Sequence, residues 1–349
     1  MTAPRSPLPL LVIYTGGTLG MLETPQGLEP GGDIERRLYR ALDGLPPTRR
    51  ASLPSFEILA FPDPIDSSAA TPRDWQRLAA EIAARYRDYA GIVVLHGTDT
   101  LAWTASSLAY QLQGLDRPVV VTGAMRPLEA EGSDALANVE LALRFAATPA
   151  LQEVAIAFAG RLLRGVRSRK WHTRVPLAFE SPNYPPLGEW VGDDPVLYPG
   201  RGLERQQRGA PRFELPDYAP LARGGVARLV LWPGIDADQV AAWLAAPSLR
   251  GALLEIWGGG NLPQDPALLG ALAEASGAGK LLAAISQCPV GDITLGHYAA
   301  GQGLAGAGVL AGDAMTPEAA LTKLVHLLAQ PLDDAERRRR FLTPLVGER

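Results

Sequence analysis

The stretch that most limits how this 349-residue chain can fold is GIVVLHGTDT, residues 91–100. Four apolar residues, Ile92, Val93, Val94 and Leu95, run unbroken into His96, Gly97, Thr98, Asp99 and Thr100. A strand with one wet face would alternate; a short continuous apolar run reads as a strand covered on both faces, as in a parallel sheet. Residues 101–113 then hold no proline or glycine, and Leu101, Ala105, Leu108 and Leu112 mark an apolar stripe, which predicts a helix. Small hydroxyl and carboxyl groups therefore sit where a buried strand hands over to a helix. In open α/β sheets, ligands bind at that edge, outside the carboxyl ends of the strands. The plainer reading is that Thr98 and Asp99 cap the helix, a position both residue types favour. One loop does not decide between the two.

The same alternation recurs along the chain. Leu10–Tyr14 reads as a strand ending in Thr15-Gly16-Gly17-Thr18, and residues 56–61 as a strand followed by Asp66, Ser67 and Ser68. Further strands are expected at 117–122, running into Gly123-Ala124-Met125-Arg126-Pro127, and at 154–158. Helices are expected over 34–42, from Pro72 with Thr71 as N-cap, and over 136–145. Residues 23–32, rich in proline and glycine, read as an exposed loop. Strand, loop and helix in repetition predict βαβ units in a parallel sheet with helices on both sides. Three of its loops, carrying Thr15 and Thr18, Asp66 to Ser68, and Thr98 with Asp99, would converge at one sheet edge. Residues 180–220, rich in proline and charge, read as an interdomain linker, after which strands at 226–231, 252–257 and 281–285 and helices at 237–244, 267–275 and 317–328 predict a second α/β unit.

Composition removes several function classes. A net charge of −4 argues against a nucleic-acid partner, which would call for a basic face. The one basic run, 337–340, follows Asp333, Asp334 and Glu336, an order that complements a helix dipole and predicts a solvated terminal helix. No window approaches 18 uninterrupted apolar residues, so no membrane span is expected. The first residues lack the features of a signal peptide. A lone cysteine, Cys288, excludes an internal disulfide and suits a reducing cytosol. The four histidines, His96, His172, His297 and His326, show no metal-ligand spacing, so no metal is expected. No phosphate loop or GxGxxG fingerprint occurs, and no nucleotide cofactor is expected. That leaves threonine, a poor nucleophile unless a base takes its proton and donors hold the oxyanion. TGGT offers a hydroxyl on glycine-flexible backbone that a substrate can approach closely. Lys170, in RGVRSRK, is a candidate base where burial lowers its pKa and otherwise a solvated charge. Asp99 suits an ammonium group and Ser67 a carboxylate, the two ends of a small zwitterion.

The segments YTGGTLGM, DSSAATPRDW, VVLHGTDTLAWTASSLAY, VTGAMRP, RGVRSRK and ESPNYPPLG, in this order and spacing, resemble the bacterial-type L-asparaginase/glutaminase family, in particular its cytosolic type I branch. WPGI, GGGN, SQC and MTPEAALTKL extend the resemblance over essentially the whole chain. It implies hydrolysis of the side-chain amide of L-asparagine to L-aspartate and ammonia, without a cofactor. It implies that Thr18, the second threonine of TGGT, is the nucleophile that forms a β-acyl-enzyme. Thr98 and Lys170 would manage protons and the attacking water, and Asp99 would hold the α-ammonium. Ser67 would bind the α-carboxylate with help from Ser68, and backbone N–H groups around Thr18 and Thr98 are the candidate oxyanion donors. The implied fold is α/β in two domains: a larger N-terminal catalytic domain, 1–200, with a mostly parallel, flavodoxin-like sheet flanked by helices, then a linker, 201–224, and a smaller Rossmann-like domain, 225–349. A cytoplasmic homodimer or homotetramer is also implied.

The chain departs from the family pattern in places. Leu28 stands where a lid tyrosine is usual, and Ala69 where an aspartate often follows the two serines. Glu255 and Arg169 stand where other residues are expected, so the asparagine effector pocket of some type I members is not expected. The alternatives are an amidohydrolase preferring glutamine or another amide, and an amino-acid-binding protein without turnover, which Leu28 would suit. A subunit acting on misacylated tRNA is not expected, since the chain starts directly at its first strand.

Overall fold

The computed structural model describes residues 8–263, 265–294 and 299–349; His297 and the first seven residues, read above for metal spacing and a signal peptide, lie outside these. Contacts divide the chain into two units, Met1–Ala70 with Arg77–Glu214, and Thr71–Gln76 with Leu215–Arg349.

The elements of the first part of the chain are β1 (Leu10–Tyr14), β2 (Met21–Thr24), β3 (Gly27–Pro30), α1 (Ile34–Asp43), β4 (Phe56–Ala60), α2 (Pro72–Arg85), β5 (Ile92–Leu95), α3 (Leu101–Gln111), β6 (Val119–Thr122), α4 (Ala135–Ala146), β7 (Val154–Phe158), β8 (Arg161–Arg164), β9 (Arg169–Lys170), β10 (Phe179–Glu180), β11 (Gly188–Val191) and β12 (Asp194–Leu197). Eight strands form one sheet in the order β12-β11-β8-β7-β6-β5-β1-β4. From β7 to β4 neighbouring strands are parallel; β8, β11 and β12 add antiparallel pairings at the other side. Every residue of β1, β5, β6 and β7 is buried, which is what their unbroken apolar runs require. Burying each such valine or leucine contributes about 1.5–3 kcal/mol.

The chain runs from β1 to β4 on one side, then returns to place β5 on the other side of β1. In chain order the parallel strands lie 2-1-3-4-5, and the direction of winding reverses between β1 and β5. In such sheets the loops leaving the two strands at the reversal diverge and open a crevice for ligand. TGGT leaves β1 and HGTDT leaves β5.

Several expectations are corrected. Residues 23–32 are not an irregular loop: β2 and β3 pair antiparallel across Pro25-Gln26. The hairpin is set by Gly27 at φ 119, and Thr24 Oγ1 donates to the Gly27 carbonyl at 2.9 Å. Its residues are mostly exposed, so no apolar alternation advertises it. Residues 180–220 are not simply a linker either, because β11 and β12 extend the main sheet. Their prolines are tolerated toward the sheet margin, where β12 pairs on one side only. Helix α3 ends at Gln111, and Leu112–Gln113 turn into a two-residue pairing with Arg212–Phe213.

In the second unit β13 (Val226–Val230), α5 (Ala237–Leu244), β14 (Gly251–Ile256), α6 (Pro266–Gly277), β15 (Leu281–Ser286), α7 (Ala299–Gly306), β16 (Leu310–Ala311), α8 (Pro317–Leu328) and α9 (Asp334–Leu342) follow in order. All four strands are parallel in the order β13-β14-β15-β16. Thr316 caps α8 as expected, accepting from the Ala319 N–H at 3.1 Å. The terminal helix α9 is capped by Asp333, yet its basic run is not wholly solvated: Arg340 is buried and bonds Gln330. Beneath it Lys323 and Glu348 form a fully buried ion pair; the ammonium also donates to the carbonyls of Phe341 and Thr343, both at 2.8 Å. The chain therefore is a two-unit α/β protein with a large, mostly parallel sheet and a smaller all-parallel one.

Candidate active site

Glycine brings the three loops at the carboxyl edge of the first sheet into backbone contact. A Cβ on Gly17, at φ 93, would collide with the Cα of Gly97, and one on Gly97 would collide with the Ser67 hydroxyl. Gly16, at φ 129, lies equally close to the Ile65 carbonyl. No other residue type fits these positions, so glycine is what lets TGGT, the Ser67 loop and HGTDT meet. Hydrogen bonds fix the arrangement. Thr15 donates to the Leu95 carbonyl through both N and Oγ1 at 3.0 Å, and Ile65 N donates to the Thr15 carbonyl at 2.5 Å.

Neither Thr98 nor Asp99 caps α3. The N-cap is Thr100, and its hydroxyl donates instead to the Ser67 carbonyl at 2.8 Å. Thr98 and Asp99 turn to Lys170, whose ammonium donates to Thr98 Oγ1 at 2.8 Å and to Asp99 Oδ1 at 2.7 Å. Lys170 sits on β9, paired with Phe179 of β10, which carries RGVRSRK back to the sheet edge. Thr98 is 7% exposed, Lys170 is part-buried, and the Asp99 side chain is largely open to solvent. Ser67 and Ser68 do not cap the helix that follows them either. At the start of α2, Thr71 N and Oγ1 bond Asp74 Oδ2, and the Ser68 hydroxyl bonds Asp66 Oδ1 at 2.9 Å. Ser67 is buried, whereas Ser68 is exposed and turned to Asp66. Among the described residues neither the Thr18 nor the Ser67 hydroxyl has a hydrogen-bond partner. Two hydroxyls with spare capacity thus lie on loops in backbone contact with a lysine–threonine–aspartate cluster.

His96 supports this edge from below. Its Nδ1 lies 2.7 Å from the Gly97 carbonyl, which can only accept, so Nδ1 carries the proton and Nε2 faces Thr104 Oγ1 at 3.0 Å. Asp134 and Asn138, not singled out from sequence, hold the neighbouring loop. Asp134 accepts from Met125 N and Arg126 N at 3.0 and 3.1 Å, and Asn138 bridges the Gly123 carbonyl and Ala159 N. Their spacing of four residues, from the N-cap of α4 to its first turn, was a usable signal, masked by the ordinary look of an N-cap. Among the described residues no group of three His, Cys, Asp or Glu side chains is placed to hold a metal, and no helix is long and apolar enough to cross a membrane.

Comparison with known proteins agrees with the motifs. Residues 9–200 match the model of the asparaginase N-terminal family, and residues 225–341 that of the glutaminase/asparaginase C-terminal domain. L-asparaginase 1 of Escherichia coli is 40% identical over 344 residues, covering 97% of each chain. The crystal structure of L-asparaginase I from Vibrio cholerae superposes with a TM-score of 0.86 at 37% identity, covering 98% of this chain and 99% of that one. The thermostable L-asparaginase of Thermococcus kodakarensis gives a TM-score of 0.84 at 29% identity, with 97% and 98% covered. The family models and relatives together span nearly the whole chain, and the chain belongs to the asparaginase family.

Proposed function

We propose that the protein hydrolyses the side-chain amide of L-asparagine to L-aspartate and ammonia through a covalent threonine intermediate. The observation that carries this is the Lys170 ammonium shared between Thr98 and Asp99, on a loop in backbone contact with that of Thr18. The substrate is a zwitterion, and we match Asp99 to its α-ammonium and Ser67 to its α-carboxylate; Ser68, expected to help, instead donates both its N–H and its hydroxyl to Asp66. With these ends held, the side-chain carbonyl faces Thr18. The Thr18 oxygen attacks the amide carbon, and backbone N–H groups of Thr18 and Thr98 take the developing oxyanion. The C–N bond breaks, ammonia leaves with the proton that Thr18 gives up, and a β-aspartyl ester remains. Water, oriented by Thr98 beside the Lys170 ammonium, attacks the ester carbon; one of its protons returns to the departing Thr18 oxygen, restoring the hydroxyl, and the other is released as the β-carboxylate forms.

We read the protein as cytoplasmic, consistent with its single cysteine, and as a homodimer or homotetramer like its family. The deciding measurement is ammonia release from L-asparagine beside L-glutamine. Release from asparagine that Thr18→Ala removes, with the melting temperature kept, supports the reading; full activity in that variant overturns the nucleophile assignment. One residue favours a second reading, binding without efficient turnover: Leu28, 47% exposed on β3, cannot relay a proton. Ligand-induced thermal stabilisation without ammonia release, with turnover gained in Leu28→Tyr, would establish it.

A further inference from the structure

The Thr18 turn is held by a clamp from the rest of the first unit. Thr18 opens a single 3-10 turn, Thr18–Gly20, that leads directly into the β2–β3 hairpin. Every carbonyl from Leu19 to Met21 is occupied at that junction. Leu19 accepts from Leu128 N at 3.1 Å; Gly20 accepts from Gly31 N at 3.1 Å and from Arg37 Nη1 at 2.8 Å; Met21 accepts from Arg37 Nη2 at 3.2 Å. Arg37 projects from α1 into the point where the two ends of the hairpin converge, and a Cβ on Gly31 would strike its guanidinium. Glu129 orients it by a two-pronged pair, Nε to Oε1 and Nη2 to Oε2, each 2.6 Å. The Arg37 side chain is 12% exposed, so most of this fork is out of water.

We propose that Arg37, aimed by Glu129, is the positioning residue of the Thr18 turn. Its fork fixes two successive carbonyls just beyond the nucleophile and anchors the hairpin that carries Leu28. A planar guanidinium can hold two carbonyls while pairing with a carboxylate through two parallel bonds; an ammonium, with three donors and no fork, cannot supply all four bonds. Glu129 and Leu128 both follow the Gly123–Pro127 loop, which Asp134 latches, so the clamp ties Thr18 to the loop behind the site. The groups that would hold substrate, Asp99 and Ser67, lie on other loops and make no contact with Arg37.

The inference rests on the proposed asparagine hydrolysis, and its test separates the two. In Arg37→Met and in Glu129→Gln, kcat for asparagine should fall about 10- to 100-fold, the cost of misplacing a reacting group by about an ångström. KM should stay within about threefold, since ground-state binding is untouched. Arg37→Lys should restore little, and the double variant should be no worse than Arg37→Met, because Glu129 acts through Arg37. Amide exchange at Gly31 and Leu128 should speed up in both single variants. Unchanged kcat, or kcat and KM moving together with no faster exchange, overturns the clamp. If the wild type releases no ammonia, the functional reading fails and exchange alone judges the clamp: faster exchange supports it and unchanged exchange overturns it.

Discussion

At the carboxyl edge of the first sheet, the Thr18 and Ser67 hydroxyls have no hydrogen-bond partner among the described residues, and Lys170 is only part-buried beside an open Asp99. The corresponding edge of the second sheet is also built from parallel strands and glycine-rich turns, yet several of its polar groups bond one another. Glu255 pairs with Arg228; Gln287 Nε2 donates to the carbonyls of Leu231 and Glu255 at 2.7 and 2.8 Å. Ser286 Oγ donates to the Gly258 carbonyl at 2.8 Å and accepts from Cys288 N at 3.0 Å. A hydroxyl that bonds nothing within the protein keeps its donor and its acceptor free for a ligand. On the proposed reading, substrate takes up that capacity at the first edge; at the second, the same kinds of residue bond one another.

The sharpest way to break this contrast is to remove the spare hydroxyl. Thr18→Ala should lower kcat by about 10⁴-fold or more while thermal unfolding is unchanged, because a group that bonds nothing in the free protein contributes little to its stability. A large loss of melting temperature would instead make Thr18 structural. Next in size, Lys170→Met should lower kcat by about 10²- to 10⁴-fold, the usual range for a proton-transfer group. Here stability should fall as well, though by under about 1 kcal/mol, because the Asp99 partner is exposed. Steady-state kinetics beside calorimetry checks both.

The second unit gives the opposite signature. Glu348→Gln leaves Lys323 buried without its countercharge and should cost about 3–5 kcal/mol of stability, read as a lower denaturation midpoint. Burial opposes the Glu348 charge, but the Lys323 ammonium and the backbone N–H of Val346 hold its carboxyl below the ordinary carboxylate range; burial also pushes the Lys323 ammonium down, with Glu348 opposing. A carboxyl depressed on folding stabilises above its unfolded pKa, and that stability is lost as pH falls through the folded one. The difference in stability between wild type and Glu348→Gln should therefore shrink on acidification below the usual carboxylate range. A constant difference would mean that the pair does not carry charge.

How much of this was legible in sequence follows from which signals are local. Residues 92–95 announced a strand buried on both faces, and TGGT and HGTDT announced where chemistry could sit. The β2–β3 hairpin escaped because its exposed residues leave no apolar alternation, and its turn rests on Gly27 and a Thr24 hydroxyl. β11 and β12 escaped because Gly188, Glu189 and Trp190 alternate too briefly between proline-rich turns. The Arg37–Glu129 clamp joins residues 92 positions apart, and nothing in either neighbourhood marks it. The choice between cap and site at Thr98 likewise turned on Lys170, 72 residues away.

The mildest test addresses the second edge directly. Ser286→Ala removes a hydroxyl that donates to Gly258 and accepts from Cys288, both within its own unit. The Gly258 carbonyl and the Cys288 N–H lie at an exposed turn where water can replace the lost bonds, so the cost should be near 1 kcal/mol, the net worth of such a hydrogen bond. Asparagine hydrolysis per folded molecule should not change. A kinetic defect larger than the loss of folded protein would mean that Ser286 touches the reaction, and that saturated hydrogen bonding in the free chain does not mark a residue as structural.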